Sequence, residues 1–182
     1  MKLILASNSP RRKQLLEEAG LTFSVVPSNF KEEENCGLPP ALYCKQLAEN
    51  KAKSVYSNWG SIVIGADTIV VFNGEILGKP KNEQDALSML TKLSNNKHLV
   101  ITGYAIIKDG KVYSGYEETV VEFNDLSPAL IKDYVKSGLP LDKAGAYGIQ
   151  DGFDLVKNID GDYNNVVGLP VNKILEILKG IQ

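Results

Sequence analysis

The sequence predicts an α/β fold in which a mixed, twisted sheet is flanked by helices. Short β-branched runs such as Ile62-Val63-Ile64 intermix along the chain with segments of helical apolar spacing. Asn73-Gly74 and Asp109-Gly110 stand where hairpin turns belong, so part of the sheet is antiparallel. No internal repeat or low-complexity linker divides the 182 residues, and a single domain over 1–182 is expected.

Taken in order, Leu3 to Ala6 reads as a short buried strand. Ser7-Asn8-Ser9-Pro10 breaks it, with Ser9 suited to a helix N-cap and Pro10 to the first helical position. The helix runs to about Ala19 and ends at Gly20. Thr22 to Val26 reads as the second strand, followed by a loop with the acidic run Glu32-Glu33-Glu34. Pro40 to about Asn58 reads as a long helix with Leu42, Leu47, Ala48, Ala52 and Val55 on its buried face. The central strand Ile62-Val63-Ile64 meets Gly65-Ala66-Asp67-Thr68, which places Asp67 at a strand end. A second apolar run, 69–72, enters the Asn73-Gly74 hairpin, and Glu75 to Leu77 returns to Gly78-Lys79-Pro80. Asn82 to Ser94 is helical, His98 to Ile107 and Lys111 to Phe123 are strands, and Ser127-Pro128 caps a helix to about Ser137. Asp142 to Gln150 is a glycine-interrupted loop, Phe153 to Ile159 a strand, 160–165 a turn, and Leu169-Pro170 opens the last helix.

Bulk composition narrows the function. A net charge of −2 gives no global attraction to nucleic acid or membrane, so any anion site is local. The cysteines, Cys36 and Cys44, make no metal-binding spacing, and reduced thiols are expected. Met1 to Ala6 is too short for a secretory h-region and no stretch reaches membrane-helix length, so a cytoplasmic protein is expected. With His98 the only histidine, a Ser-His-Asp triad or a histidine-rich metal site is disfavoured.

Four places carry candidate chemistry. Arg11 and Arg12 lie in the first turn of a helix, where cations oppose the helix dipole. With Ser7, Ser9 and the free N–H groups they compose an anion site; the alternative is a pair of solvated surface arginines. The hairpin brings Lys79 back toward the level of Asp67, as in a built site, although Asp67 also suits a turn and Lys79 a solvated surface. One carboxylate of the run at 32–34 faces the arginines and helps hold a metal, or the run is a solvated loop. Gly145 and Gly148 suit a loop close to a ligand or another backbone, and Gln150 both donates and accepts, as base recognition requires. Lys51 alone reads as a surface residue, and 160–165 lacks the full pattern of a calcium loop.

Together these pieces resemble the Maf family of nucleoside triphosphate pyrophosphatases over nearly the whole chain. The markers are Leu5-Ala6-Ser7-Asn8-Ser9-Pro10-Arg11-Arg12, Leu47-Ala48-Glu49-Asn50-Lys51-Ala52, Gly65-Ala66-Asp67-Thr68 and Gly78-Lys79-Pro80. Asp142 to Gln150 follows, then Gly161-Asp162-Tyr163 leading to Val167-Gly168-Leu169-Pro170. A minor departure is Ser94-Asn95-Asn96, where the family more often has a Ser-Gly turn.

The resemblance implies an elongated, two-lobed, inosine triphosphatase-like fold with a central cleft. It implies hydrolysis of a nucleoside triphosphate between the α and β phosphorus atoms, releasing a monophosphate and pyrophosphate. Ser7, Arg11, Arg12, Lys51, Thr68, Lys79 and Gln150 would bind substrate. Asp67 would accept a proton from the attacking water or, equally, bind a metal. Glu32 would be a metal-site partner, with Glu33 as the fallback, and the cofactor would be Mg²⁺ or Mn²⁺. Arg11, Thr68 and Gln150 match the branch that prefers dTTP and UTP over 7-methyl-GTP, with modified pyrimidine nucleotides, and so a house-cleaning role, also in reach. No nucleic-acid or membrane partner is expected, and homodimerisation is common in the family. Links between the family and septum formation leave a nucleotide-binding regulator of cell division, without significant turnover, as the alternative. The Ser-Pro-Arg-Arg start argues against a third reading, a pyrophosphatase for inosine or xanthosine triphosphate.

Overall fold

A computed structural model describes residues 2–32, 35, 37–57 and 60–181. The strands are β1 (Lys2–Leu5), β2 (Ser24–Val25), β3 (Ser61–Phe72), β4 (Glu75–Leu77), β5 (Lys97–Lys108), β6 (Lys111–Phe123) and β7 (Val156–Asp160). They form one mixed sheet in the order β2-β1-β3-β5-β6-β7, with β4 paired to β3. The helices are α1 (Pro10–Glu18), α2 (Pro40–Val55), α3 (Glu83–Leu93), α4 (Pro128–Lys136), α5 (Tyr163–Val167) and α6 (Val171–Gly180). Contacts divide the chain into two compact units, one of Met1–Thr68, Thr102–Glu117 and Gly168–Gln182, the other of Ile69–Ile101 and Glu118–Val167.

In the first unit β1 pairs in parallel with β2 and with β3, from Lys2↔Ser61 to Leu5↔Ile64. The core between the sheet and α2 is made of small residues: Ala6, Ala48, Ala52, Val63, Ala105 and Ile107. α2 therefore lies very close to the sheet. A Cβ at Gly65 would stand 2.5 Å from the Ala48 carbonyl oxygen, and a Cβ at Gly103 would overlap the Cys44 carbonyl. The buried face of α2 is Cys44, Leu47, Ala48 and Ala52, whereas Leu42, expected on that face, is 45% exposed. The helical stripe starts from Cys44, so its phase differs from one counted from Leu42. β3 also differs from expectation. It runs unbroken through Gly65-Ala66-Asp67-Thr68, so Asp67 is a mid-strand residue. Glycine weakens a strand interior in general, but here it is required by the helix lying on it.

The second unit has its own core, built from Leu90 and Leu93 of α3, Ile131, Tyr134 and Val135 of α4, and Val121 and Phe123 of β6. The β3–β4 hairpin pairs Val70 with Leu77, and both turn residues have positive φ, 49° at Asn73 and 79° at Gly74, as a type I′ turn needs. Asn95 sits in the left-handed region at φ 57°, a conformation asparagine tolerates better than other side chains. β7 starts at Val156 because Phe153 and Leu155 close a tight local turn, and the Phe153 ring packs 4.6 Å from that of Tyr134. The stretch expected as a turn at 160–165 passes into α5, whose start is fixed by the Asn164 N–H donating to Asp162 Oδ1 at 2.8 Å. Asn165 Nδ2 donates to the Val100 carbonyl and to Thr119 Oγ1, which anchors that turn of helix in the core.

His98 is buried in the second core, in edge contact with Phe123 and Tyr147 and 2.7 Å from the Tyr147 hydroxyl. Burial lowers its pKa to about 4 from the usual 6.5. A depressed histidine pKa means that the unfolded chain takes up the proton first. The stability that neutral His98 contributes is therefore complete above about pH 6.5 and is lost as pH falls toward 4, by about 3 kcal/mol in all. Proton NMR of this sole histidine should show a titration midpoint near 4, and a midpoint near 6.5 would contradict the buried neutral ring.

Candidate active site

The first unit gathers charged side chains from four elements. Lys51 comes from α2, Asp67 from β3, Arg12 from α1 and Glu32 from the loop after β2. Lys51 Nζ pairs with Asp67 Oδ1 and, at 2.6 Å, with Glu32 Oε1. The Lys51 and Asp67 side chains are only 16% and 11% exposed, against 53% for Glu32, so the Lys51–Asp67 pair is the desolvated one. The reason lies in sequence order. Gly65 and Asp67 share one face of β3, and Lys51 stands one turn beyond Ala48, whose carbonyl meets Gly65.

Beside this pair Arg12 is held by three bonds. Its Nε donates to the Gly168 carbonyl at 2.8 Å, its Nη1 to Ser7 Oγ at 3.2 Å and its Nη2 to Thr68 Oγ1 at 3.0 Å. Thr68 Oγ1 in turn lies 2.9 Å from Thr102 Oγ1, a fully buried hydroxyl. Ser9 caps α1 as expected, accepting from the Arg12 N–H, and Ser7 Oγ also accepts from the Ser9 N–H. Behind Asp67 the Cys44 thiol donates to the Asp67 carbonyl and accepts from the Gly103 N–H, both at 3.2 Å.

Electrostatics follow from this packing. Burial pulls the Lys51 ammonium's pKa down, but Asp67 and Glu32 outweigh it and hold the group above its usual value. Burial lowers the Arg12 guanidinium, with Asp67 pulling it back. Burial, then Asp67, push the Cys44 thiol up to about 12, so it serves as a neutral packing and hydrogen-bonding group. Glu32 and Asp67 are hard oxygen donors on either side of one ammonium, a donor set that fits a small divalent cation sharing its remaining positions with phosphate oxygens and water. Among the described residues, no group of three or more His, Cys, Asp or Glu is placed to hold a metal by itself.

Ser7, Arg12, Glu32, Lys51, Asp67 and Thr68 are thus brought together in one unit, with half-buried Arg11 in the same helical turn as Arg12. Glu33 lies outside the described residues. Lys79 and Gln150 are exposed residues of the second unit, where the Gly145 N–H donates to the Gly78 carbonyl at 3.1 Å and ties their two segments together. Sequence reasoning missed Cys44 and Thr102, which act through a backbone or a neighbouring hydroxyl, and it named Gly168 as a family marker without a role. Only the position of Cys44 on the helical stripe with Ala48 and Ala52 could have signalled a role.

Two cations beside two carboxylates, with a helix start and two hydroxyls, form an arrangement chemically able to hold a polyanion next to a proton acceptor. Residues 2–181 match the family described as Maf-like protein, and the chain belongs to that family. It is 49% identical over 177 residues to a dTTP/UTP pyrophosphatase of Thermococcus onnurineus, covering 96% of this chain and 95% of the other. It is 45% identical over 181 residues to a dTTP/UTP pyrophosphatase of Aquifex aeolicus, covering 98% and 95%, and 47% identical over 180 residues to that of Bacillus pumilus, again covering 98% and 95%. Among solved structures, the Staphylococcus aureus Ham1 protein aligns over 100% of both chains with a TM-score of 0.50 and 16% identity, a likeness of fold.

The close approach at Gly65 is open to direct test. In Gly65→Ala the new methyl would meet the Ala48 carbonyl at 2.5 Å and the Ala52 Cβ at 2.8 Å, so α2 must move off β3. Urea unfolding should show a loss of about 2–3 kcal/mol. A variant of unchanged stability would mean that α2 does not bear on the strand here.

Proposed function

We propose that the chain is a nucleoside triphosphate pyrophosphatase that hydrolyses dTTP and UTP, and related modified pyrimidine triphosphates, to the monophosphate and pyrophosphate. The observation that carries this reading is the Lys51 ammonium held against the Asp67 carboxylate beside the braced Arg12. The names of the relatives, at 45–49% identity over nearly the full chain, support the same reaction and bases.

In this mechanism Arg12, Arg11 and Lys51 neutralise the phosphates. Three of the five Arg12 N–H groups are engaged by protein, which fixes the plane of the guanidinium and leaves the rest for phosphate oxygens. Burial is outweighed by Asp67 and Glu32, which keep Lys51 charged across neutral pH, so it offsets charge as the leaving pyrophosphate departs. Asp67 takes the proton of the water that attacks the α phosphorus, and its position is set by the strand, by Lys51 and by the Cys44 contact to its carbonyl. Mg²⁺ or Mn²⁺ is the proposed cofactor, with Glu32 as its protein ligand and Asp67 as the second ligand where it binds the metal instead of taking the proton; bound there, it would further neutralise the triphosphate and make water more acidic. Lys79 is assigned to the phosphates and Gln150 to the base, where its amide pairs the O4 acceptor and N3–H donor of uracil or thymine. The chain acts as one domain over 1–182.

A nucleotide panel with wild type and Asp67→Asn side by side tests this, scoring pyrophosphate separately from orthophosphate. Wild type should release pyrophosphate from dTTP and UTP, stop on chelation and recover with Mg²⁺ or Mn²⁺. Asp67→Asn should lose about 10²- to 10⁴-fold in kcat. Orthophosphate as the product would place cleavage at another bond and overturn the mechanism. Nucleotide binding without turnover would favour the regulator reading.

A further inference from the structure

The second unit holds a buried ionic network around Lys143. Lys143 is 8% exposed at its side chain, and its Nζ reaches the Leu139 carbonyl at 2.5 Å, Asp142 Oδ1 at 2.9 Å and Asp151 Oδ2 at 3.4 Å. Asp151, equally buried, accepts from the Tyr134 hydroxyl at 2.5 Å, and that hydroxyl accepts from the Gly148 N–H at 2.8 Å. Asp151 N–H closes a turn onto the Gly148 carbonyl at 3.1 Å. One fully buried tyrosine hydroxyl thus staples the first residue of the turn, Gly148, to the last, Asp151. Gln150 is the third residue of that turn and is exposed.

We propose that Tyr134, Asp151 and Lys143 are positioning residues for Gln150, holding the turn Gly148–Asp151 in the one backbone conformation that aims the Gln150 amide at a pyrimidine base. The inference rests on the base-reading role proposed for Gln150 above. An exposed amide on a free turn samples many orientations and discriminates poorly; a turn pinned at both ends to a buried charge pair does not. Gly148 fits the same account, because a Cβ there would stand 2.7 Å from both Asp151 Oδ2 and Lys143 Cε. The loop also accepts strain at Ala146, a fully buried non-glycine residue at φ 60°, directly after Gly145 at φ 67°.

The test is a double-mutant cycle on base selectivity, using Tyr134→Phe and Gln150→Ala singly and together. The readout is the ratio of kcat/KM for dTTP to that for dCTP, which exchanges the donor and acceptor read on the base. Tyr134→Phe should lower that ratio about tenfold, and the loss should vanish in the Gln150→Ala background. Asp151→Asn, which keeps shape but weakens the acceptor, should lower it in the same direction, and Lys143→Arg should retain more selectivity than Lys143→Met. A Tyr134→Phe protein with unchanged selectivity, or an equal loss with Gln150 already absent, would overturn the inference while leaving the activity intact. Wild type that does not discriminate dTTP from dCTP would remove the base reading itself, and the positioning role with it.

Discussion

The carboxylate centre depends on how closely one helix lies on the sheet. At Gly65 and Gly103 the backbone of α2 occupies the space in which any other residue would place its Cβ. The interface is lined with alanines because larger side chains would hold the helix away. That closeness sets the reach of Lys51. Its stem leaves the helix one turn from the Gly65 contact, and its ammonium arrives at Asp67 already largely out of water. Neither partner would be comfortable there alone, since removing one member of a buried pair leaves the other charge without compensation.

The same geometry suits a polyanion. The carboxylates of Asp67 and Glu32 hold the ammonium, while hydroxyls and the Gly168 carbonyl hold the Arg12 guanidinium. The cations are therefore fixed by protein partners, which leaves little side-chain freedom to lose. Thr68 links the two groups. It follows Asp67 on β3, and its hydroxyl joins Arg12 to the buried Thr102.

What could be read from sequence was what local chemistry decides. The Ser9 cap, Pro10, the Asn73-Gly74 hairpin and the Ser127-Pro128 helix start each rest on neighbours within a few residues, and the structure agrees with them. What could not be read depends on partners far along the chain. Gly65 and Asp67 look like the end of a strand until α2 is laid over them. Leu42 looks like a better core residue than Cys44 until the helical phase is fixed by the sheet. α5 needs Asn165 to meet Val100 and Thr119 before 163–167 becomes helix and not turn. At the site, Asp67, Arg12, Glu32 and Lys51 could be picked by family pattern, but Lys51 is sixteen positions from Asp67 on another element and no spacing rule pairs the two.

The glycine loop of the second unit poses the opposite physical problem. Around Asp67 rigidity follows from burial, whereas Gln150 is exposed and is not fixed by packing. Its precision must come from the backbone beneath it. A left-handed alanine costs on the order of 1 kcal/mol, and a buried lysine costs more unless paired. Both persist in one short loop because the Tyr134–Asp151–Lys143 network compensates them. Glycine at 146 and a solvated residue at 143 would relieve both costs. The strain and the buried charges therefore mark the turn at Gln150 as one whose shape matters more than its stability.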